Sequence, residues 1–298
     1  MWQMLEPKET PMNKFETVKR LGIVLVVAGL LLGNAGNVHS QQVQQVKANR
    51  VKELLRAGKA ALGAVVSLPC APAAQVLAQA GFDWLWIDME HGPINLETAH
   101  GMIQATQGTE TVPVVRVPWN LHWLAKPVLD AGAMGVVFPF ITSKQEAIDA
   151  VQSVRYPPEG VRGFSPAFAA LRWGLSVPEY VKTANREIMA ILLIEHINAV
   201  GRIDEILSVP GVDLAFIGPY DLSGSMGLLG QITHPREEEA IQKVLAAAKR
   251  AKVPAGILAV TPEDANRRLQ QGFQFIMVGS DAAFLAGAAK GILSQVKR

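Results

Sequence analysis

Trp84-Leu85-Trp86-Ile87-Asp88-Met89-Glu90-His91-Gly92-Pro93 changes character halfway along. The first half is a short apolar run of the kind shown by a strand buried on both faces. The second half is polar: Asp88, Glu90 and His91 stand close together, and Gly92-Pro93 ends regular structure. A solvated strand end is the plain account of these residues. The rest of the chain decides against it.

Working outward, the same pattern returns at intervals. Apolar runs at residues 62–68, 112–117, 135–139, 188–195, 212–218, 255–259 and 273–279 read as further buried strands. Helical patterns fill the gaps, among them residues 72–80, 95–106 with Asn95 as N-cap, 237–252 and 262–271. Eight buried strands alternating with helices over about 250 residues predict an α/β fold of the (β/α)8 TIM-barrel type. A doubly wound sheet is the runner-up, but it favours a glycine-rich first turn that this chain lacks. The stretch between the fourth and fifth strands is long and rich in Pro and Gly (Arg155 to Pro166), which predicts a lid or a contact surface.

The 298 residues are 49% hydrophobic and 18% charged, with a net charge of +2. That composition suits one large core, and with no run of Lys or Arg it gives no footprint for nucleic acid. Lys14, Lys19 and Arg20 precede an apolar run from Leu21 to Leu32, and small residues lead to Ser40. Residues 1–40 therefore read as a signal peptide for a periplasmic or secreted protein, ahead of a single barrel domain at 41–298. An uncleaved N-terminal anchor is the alternative, and an unprocessed segment would leave the protein cytoplasmic. The single Cys70 excludes an intramolecular disulfide and reads as a small residue at a strand-to-helix turn.

In a TIM barrel, polar residues at the C-terminal ends of strands read as catalytic. Here these are Asp88, Glu90 and His91 after strand two, Arg116 after three, Glu195 after five and Asp221 just past six. Taken singly, Arg116 could pair with any surface carboxylate and Asp221 could be a helix N-cap. Carboxylates on neighbouring strands, with few His and no Cys nearby, suit a hard divalent cation that keeps water for substrate oxygens. Arg116 offers a planar, permanent cation for a carboxylate or a developing enolate. His91 is poised for proton transfer near neutral pH. The eight strands contain no lysine, which disfavours an imine-forming mechanism and favours metal-assisted enolisation.

These residues together resemble the HpcH/HpaI aldolases, the metal-dependent pyruvate aldolases, over about residues 50–295. The carriers are Trp86 to His91, Val114 to Pro118, Leu129 to Gly132, Arg155 to Gly160, Ile194-Glu195 and Ile217 to Leu222. The resemblance implies that Glu195 and Asp221 hold Mg2+ or Mn2+, with Co2+ a further candidate. It implies that Arg116 neutralises the enolate oxygen and that His91 is the base, oriented by Asp130. Asp88 and Glu90 would support the metal water and the imidazole. Arg116, Asp88, Glu90 and Leu258 are assigned to substrate binding. Family members are hexamers, trimers of dimers with an exchanged C-terminal helix, here residues 281–295. Two departures bear on specificity: Leu193 stands where many relatives have Gln, and His196 replaces a small polar residue. The expectation is an aldolase cleaving a 4-hydroxy-2-oxo acid to pyruvate and an aldehyde. A lyase acting on a CoA thioester and an exported 2-oxo-acid-binding protein are the alternatives.

Overall fold

The computed structural model describes residues 49–297, so the expected signal segment lies outside the described residues. Eight parallel strands close a barrel in chain order: β1 (Ala61–Val66), β2 (Trp84–Asp88), β3 (Val112–Arg116), β4 (Gly135–Phe138), β5 (Met189–Ile194), β6 (Leu214–Ile217), β7 (Ala255–Leu258) and β8 (Phe275–Ser280). Each lies inside or within a residue of the predicted run. A strand covered on both faces has no reason to mix polar residues into its middle, and the wholly buried β2, β4, β5 and β6 show this directly.

Aromatic rings fill the barrel. Trp84 stacks on Phe275 with centroids 3.8 Å apart, and Trp86 meets Phe216 at 5.0 Å. Glycines on neighbouring strands make the room: a Cβ at Gly63 would lie 2.1 Å from the Trp84 ring, and one at Gly256 would lie 2.8 Å from Phe216. Interior volume is thus shared between large rings and missing side chains rather than between branched aliphatics.

The helices return the chain to the bottom of the barrel. Those used below are α1 (Arg50–Arg56), α2 (Ala71–Gln79), α3 (Leu96–Ala105), α4 (His122–Asp130), α5 (Lys144–Ser153), α6 (Ala167–Trp173), α7 (Val177–Glu187), α8 (Ile197–Gly201), α9 (Ile203–Leu207), α10 (Pro219–Ser225), α11 (Pro235–Ala251), α12 (Pro262–Gln271) and α13 (Asp281–Gln295). Cys70 is the exposed N-cap of α2, at a strand-to-helix turn as read. Asn95 caps α3 by accepting from the Thr98 N–H at 2.9 Å. The Pro-rich stretch does not close over the strand ends. Arg155 donates to the Ile188 carbonyl at 2.9 Å and to Asp213 at 2.9 Å, both at the starts of β5 and β6. It therefore lies on the N-terminal side of the barrel, and the lid expectation is corrected. The chain must travel back to that side before β5 can begin.

Glu237, in the first turn of α11, is fully buried, and neither carboxylate oxygen has a hydrogen-bond partner. Burial, with Glu238 adding negative charge, pushes its carboxyl up to about 7 despite Arg268 nearby. The folded chain thus holds this proton more tightly than the unfolded chain, whose value is 4.5. Below both values the group is protonated in both states and adds no pH dependence. As pH rises from there through about 7, the unfolded state gains ionisation that the folded state resists, and stability falls. Glu237→Gln should remove that loss and raise stability at pH 8 by ~1–3 kcal/mol, with little change near pH 4. Urea midpoints of both proteins at the two pH values check this, and equal differences at both would refute it.

Candidate active site

The site is built where β2 and β3 end. Asp88 and Arg116 are register partners on adjacent strands, so their side chains emerge together. Asp88 Oδ1 accepts from Arg116 Nε at 2.9 Å, and Oδ2 accepts from Nη2 at 2.5 Å. This two-point fork fixes the guanidinium plane. Glu90 adds an ion pair to Nη1 at 3.0 Å, and the Trp86 ring lies 5.5 Å from the guanidinium carbon. Arg116 is therefore spoken for by two carboxylates and an indole, and not by a surface acid.

Asp88 Oδ1 also accepts from the N–H groups of Glu90 and His91, each at 3.1 Å, folding the turn after β2. Gly92 serves that turn, because a Cβ there would meet the Asp88 carbonyl at 2.5 Å. Burial pushes the Asp88 carboxyl up, but the hydrogen bonds and charge of Arg116 outweigh it and hold it below the ordinary carboxylate range. Glu90 goes the other way, raised by burial against the pull of Arg116 and His91. His91 is exposed beside this pair.

Glu195 follows β5 and is buried. Its Oε1 accepts at 2.8 Å from the N–H of Phe140, whose backbone is left-handed at φ 57°. A Cβ at Gly218 would lie 3.0 Å from Glu195 Oε2, so the glycine leaves that oxygen space. Burial pushes the Glu195 carboxyl up to about 8; the Phe140 N–H opposes this, while the charges of Glu90 and Asp221 reinforce it. Asp221 is exposed in the first turn of α10, whose N-cap is Gly218, so the N-cap reading of Asp221 is corrected.

Among the described residues, no group of three or more His, Cys, Asp and Glu is arranged to enclose a metal. The donor set is nevertheless suitable for one. The charges of Glu90 and Asp221 raise the cost of ionising Glu195, the Gly218 gap frees an oxygen, and a hard cation that keeps water needs only one or two carboxylates.

The other expected residues divide. Leu258 ends β7, half-buried at the same mouth. Leu193 is buried, with its Cδ1 3.4 Å from the place of a Gly218 Cβ, so an apolar side chain stands on the Glu195 side of that glycine. His196 is the N-cap of α8, its Nδ1 accepting from the Asn198 N–H at 3.1 Å. A neutral His196 then carries its proton on Nε2 and offers a donor rather than a base. Asp130 ends α4, at the opposite end of the barrel from His91. There its Oδ1 accepts from Arg162 Nη2 at 3.2 Å, and Arg162 lies buried against the Tyr156 ring at 4.3 Å. Burial raises the Asp130 carboxyl, with Arg162 opposing. Among the described residues no hydrogen bond joins Asp130 to His91, so within one chain Asp130 does not orient the imidazole.

The sequence reading missed an aromatic wall. Trp119 stacks with Phe140 at 6.0 Å, and Phe140 meets His196 at 5.3 Å, next to Glu195. The wall joins the loops after β3, β4 and β5. Its only sequence signal is two aromatic residues placed just past strand ends.

The profile of the HpcH/HpaI aldolase/citrate lyase family matches residues 66–288. A 5-keto-4-deoxy-D-glucarate aldolase of Salmonella arizonae is 41% identical over 243 residues, covering 81% of this chain and 94% of that protein. One of Citrobacter koseri is 38% identical over 250 residues, covering 84% and 97%. The crystal structure of a family protein from Burkholderia cenocepacia J2315 superposes with a TM-score of 0.78 at 37% identity, covering 84% of this chain and 100% of that one. The closed barrel, the polar strand ends and these likenesses along nearly its whole described length show that this chain belongs to the HpcH/HpaI aldolase/citrate lyase family and is a carbon–carbon lyase.

Proposed function

We propose that the chain is a divalent-metal-dependent aldolase that cleaves a 4-hydroxy-2-oxo acid to pyruvate and an aldehyde. The observation that carries this reading is Arg116, locked in plane by Asp88 and Glu90 opposite the Glu195–Asp221 carboxylates. Glu195 and Asp221 would hold Mg2+ or Mn2+, or alternatively Co2+. When bound, the cation supplies Lewis-acid polarisation of the 2-oxo group. Arg116 neutralises charge as the enolate oxygen develops, and its fork needs no rearrangement at that moment. His91 takes the proton from the C4 hydroxyl as the C3–C4 bond breaks. The aldehyde leaves, and protonation at C3 converts the enolate to pyruvate. The relatives' name makes an acid-sugar aldehyde the first candidate, while Leu193 and the aromatic wall favour a more apolar one. Exchange of the pyruvate C3 protons in D2O tests the reading: it should require added metal and stop with EDTA. A chain that binds pyruvate without exchange is a binding protein instead.

We further propose a hexameric trimer of dimers that exchanges α13. Support comes from Leu285, Ile292 and Leu293 on that helix, which expose 66%, 66% and 56% of their surfaces. Such a row of apolar side chains calls for cover. Asp130 could then reach a His91 only on a neighbouring copy. Sedimentation of the intact chain tests this, and a monomer would refute it. Residues 1–40 are proposed to export the protein. Mass spectrometry of the mature chain from its host should find an N-terminus near Gln41, whereas intact Met1 or Met12 in the cytosol refutes export.

A further inference from the structure

At the end of the barrel opposite the active site lies an open cleft of about 500 Å³. It is assembled from α1, the starts of β5, β6 and β7, and the end of α11. Met189, Val212, Leu245, Val253 and Pro254 give it an apolar floor. Among the described residues four cations, Lys52, Arg56, Lys249 and Lys252, face it, with Asp213 the one carboxylate in the lining.

Asp213 is already satisfied. Its Oδ1 pairs with Lys52 Nζ at 2.6 Å, and its Oδ2 accepts from Arg155 at 2.9 Å and from the Ala190 N–H at 2.9 Å. Two cations on one carboxylate leave positive charge on the cleft wall before the rim is considered. Burial, reinforced by the charges of Arg155 and Arg56, lowers the Lys52 ammonium against the pull of Asp213. The exposed Arg56, Lys249 and Lys252 then add rim charge for which the described residues lining this cleft hold no further acid.

The plain account is that basic residues favour helix C-termini, where α1 and α11 end. Lys249 does donate to the Gln271 carbonyl at 2.9 Å. That account explains each residue singly but not their meeting over an apolar floor. It also leaves Lys52, which lies in the first turn of α1, outside its reach.

We propose that this cleft binds a small organic phosphate, its charge met by Arg56, Lys249 and Lys252 and its apolar part resting on the floor. A phosphate brings up to two negative charges in one group, and lysines serve it as point charges. The cleft opens away from the strand ends that carry Glu195 and Asp221. It is thus no phosphate arm of the catalytic pocket, and the CoA-thioester reading gains nothing from it.

Thermal melts of the intact chain test the site, with inorganic phosphate and AMP compared against sodium chloride of equal ionic strength. The variant is Lys249→Gln with Lys252→Asn. Asparagine is chosen because Lys252 sits at φ 57°, which it tolerates. Wild type should be stabilised by phosphate and more by AMP, and the variant should need about tenfold more of either for the same shift. Lyase activity of the variant should equal wild type. Equal response of wild type and variant, or no stabilisation beyond chloride, overturns the proposal.

Discussion

Arg116→Ala should lower kcat by about 100- to 1000-fold, the usual cost of losing one electrostatic donor aimed at developing charge. Removing the guanidinium also strands Asp88, a buried carboxylate that the cation holds ionised. Breaking a buried pair costs about 3–5 kcal/mol of stability, so rates must be taken on protein shown by circular dichroism to be folded. Arg116→Lys should restore part of the stability and little of the rate, since an ammonium cannot answer both Asp88 oxygens in the fork's plane. His91→Ala should cost roughly 100- to 10,000-fold, through the proton rather than the charge. The two are separated by kcat/KM against pH at saturating metal. His91→Ala should erase the acid limb, and Arg116→Ala should keep it. In wild type and His91→Ala the Asp88 carboxyl stays below the ordinary range; in Arg116→Ala burial raises it, so a second limb added there beside the retained one belongs to Asp88. If His91→Ala retains the acid limb, another group moves the proton. Glu90 then comes before His196, whose Nδ1 is committed to its helix cap.

The second large effect belongs to the carboxylates. Glu195→Gln and Asp221→Asn should each reduce turnover to background and weaken Mn2+ binding, followed by calorimetry, by more than about 100-fold. Glu195→Gln keeps the shape that receives the Phe140 N–H, so the fold should survive. EDTA should abolish wild-type turnover. Full activity in EDTA, or a lysine adduct trapped by borohydride, would reject this chemistry.

The barrel was legible because its strands are buried on both faces and interrupted by helices, which leaves the pattern unmixed. Asp88, Arg116 and Glu195 were legible because they break that pattern at strand ends. Their pairing was not: two strand ends must be set in register before Asp88 and Arg116 are known to be partners. Asp130 was assigned to His91 from resemblance, although its place at the end of a returning helix puts it at the other end of the barrel. The cationic cleft was invisible because Lys52 and Lys252 are far apart in the chain, and only closure of β8 on β1 brings them together. The left-handed Phe140 carried no local sign, since that backbone is normally announced by glycine.

Phe140 sets stability against capability at one position. Its conformation costs an L-residue about 1–2 kcal/mol that glycine would not pay. Glycine there could present the same N–H to Glu195 and would ease the backbone. What it could not supply is the ring between Trp119 and His196. A laboratory lineage selected only for heat resistance should therefore drift towards glycine at 140 and come out hardier but less choosy. One selected on a bulky apolar aldehyde should keep the aromatic ring and make up its stability elsewhere in the barrel.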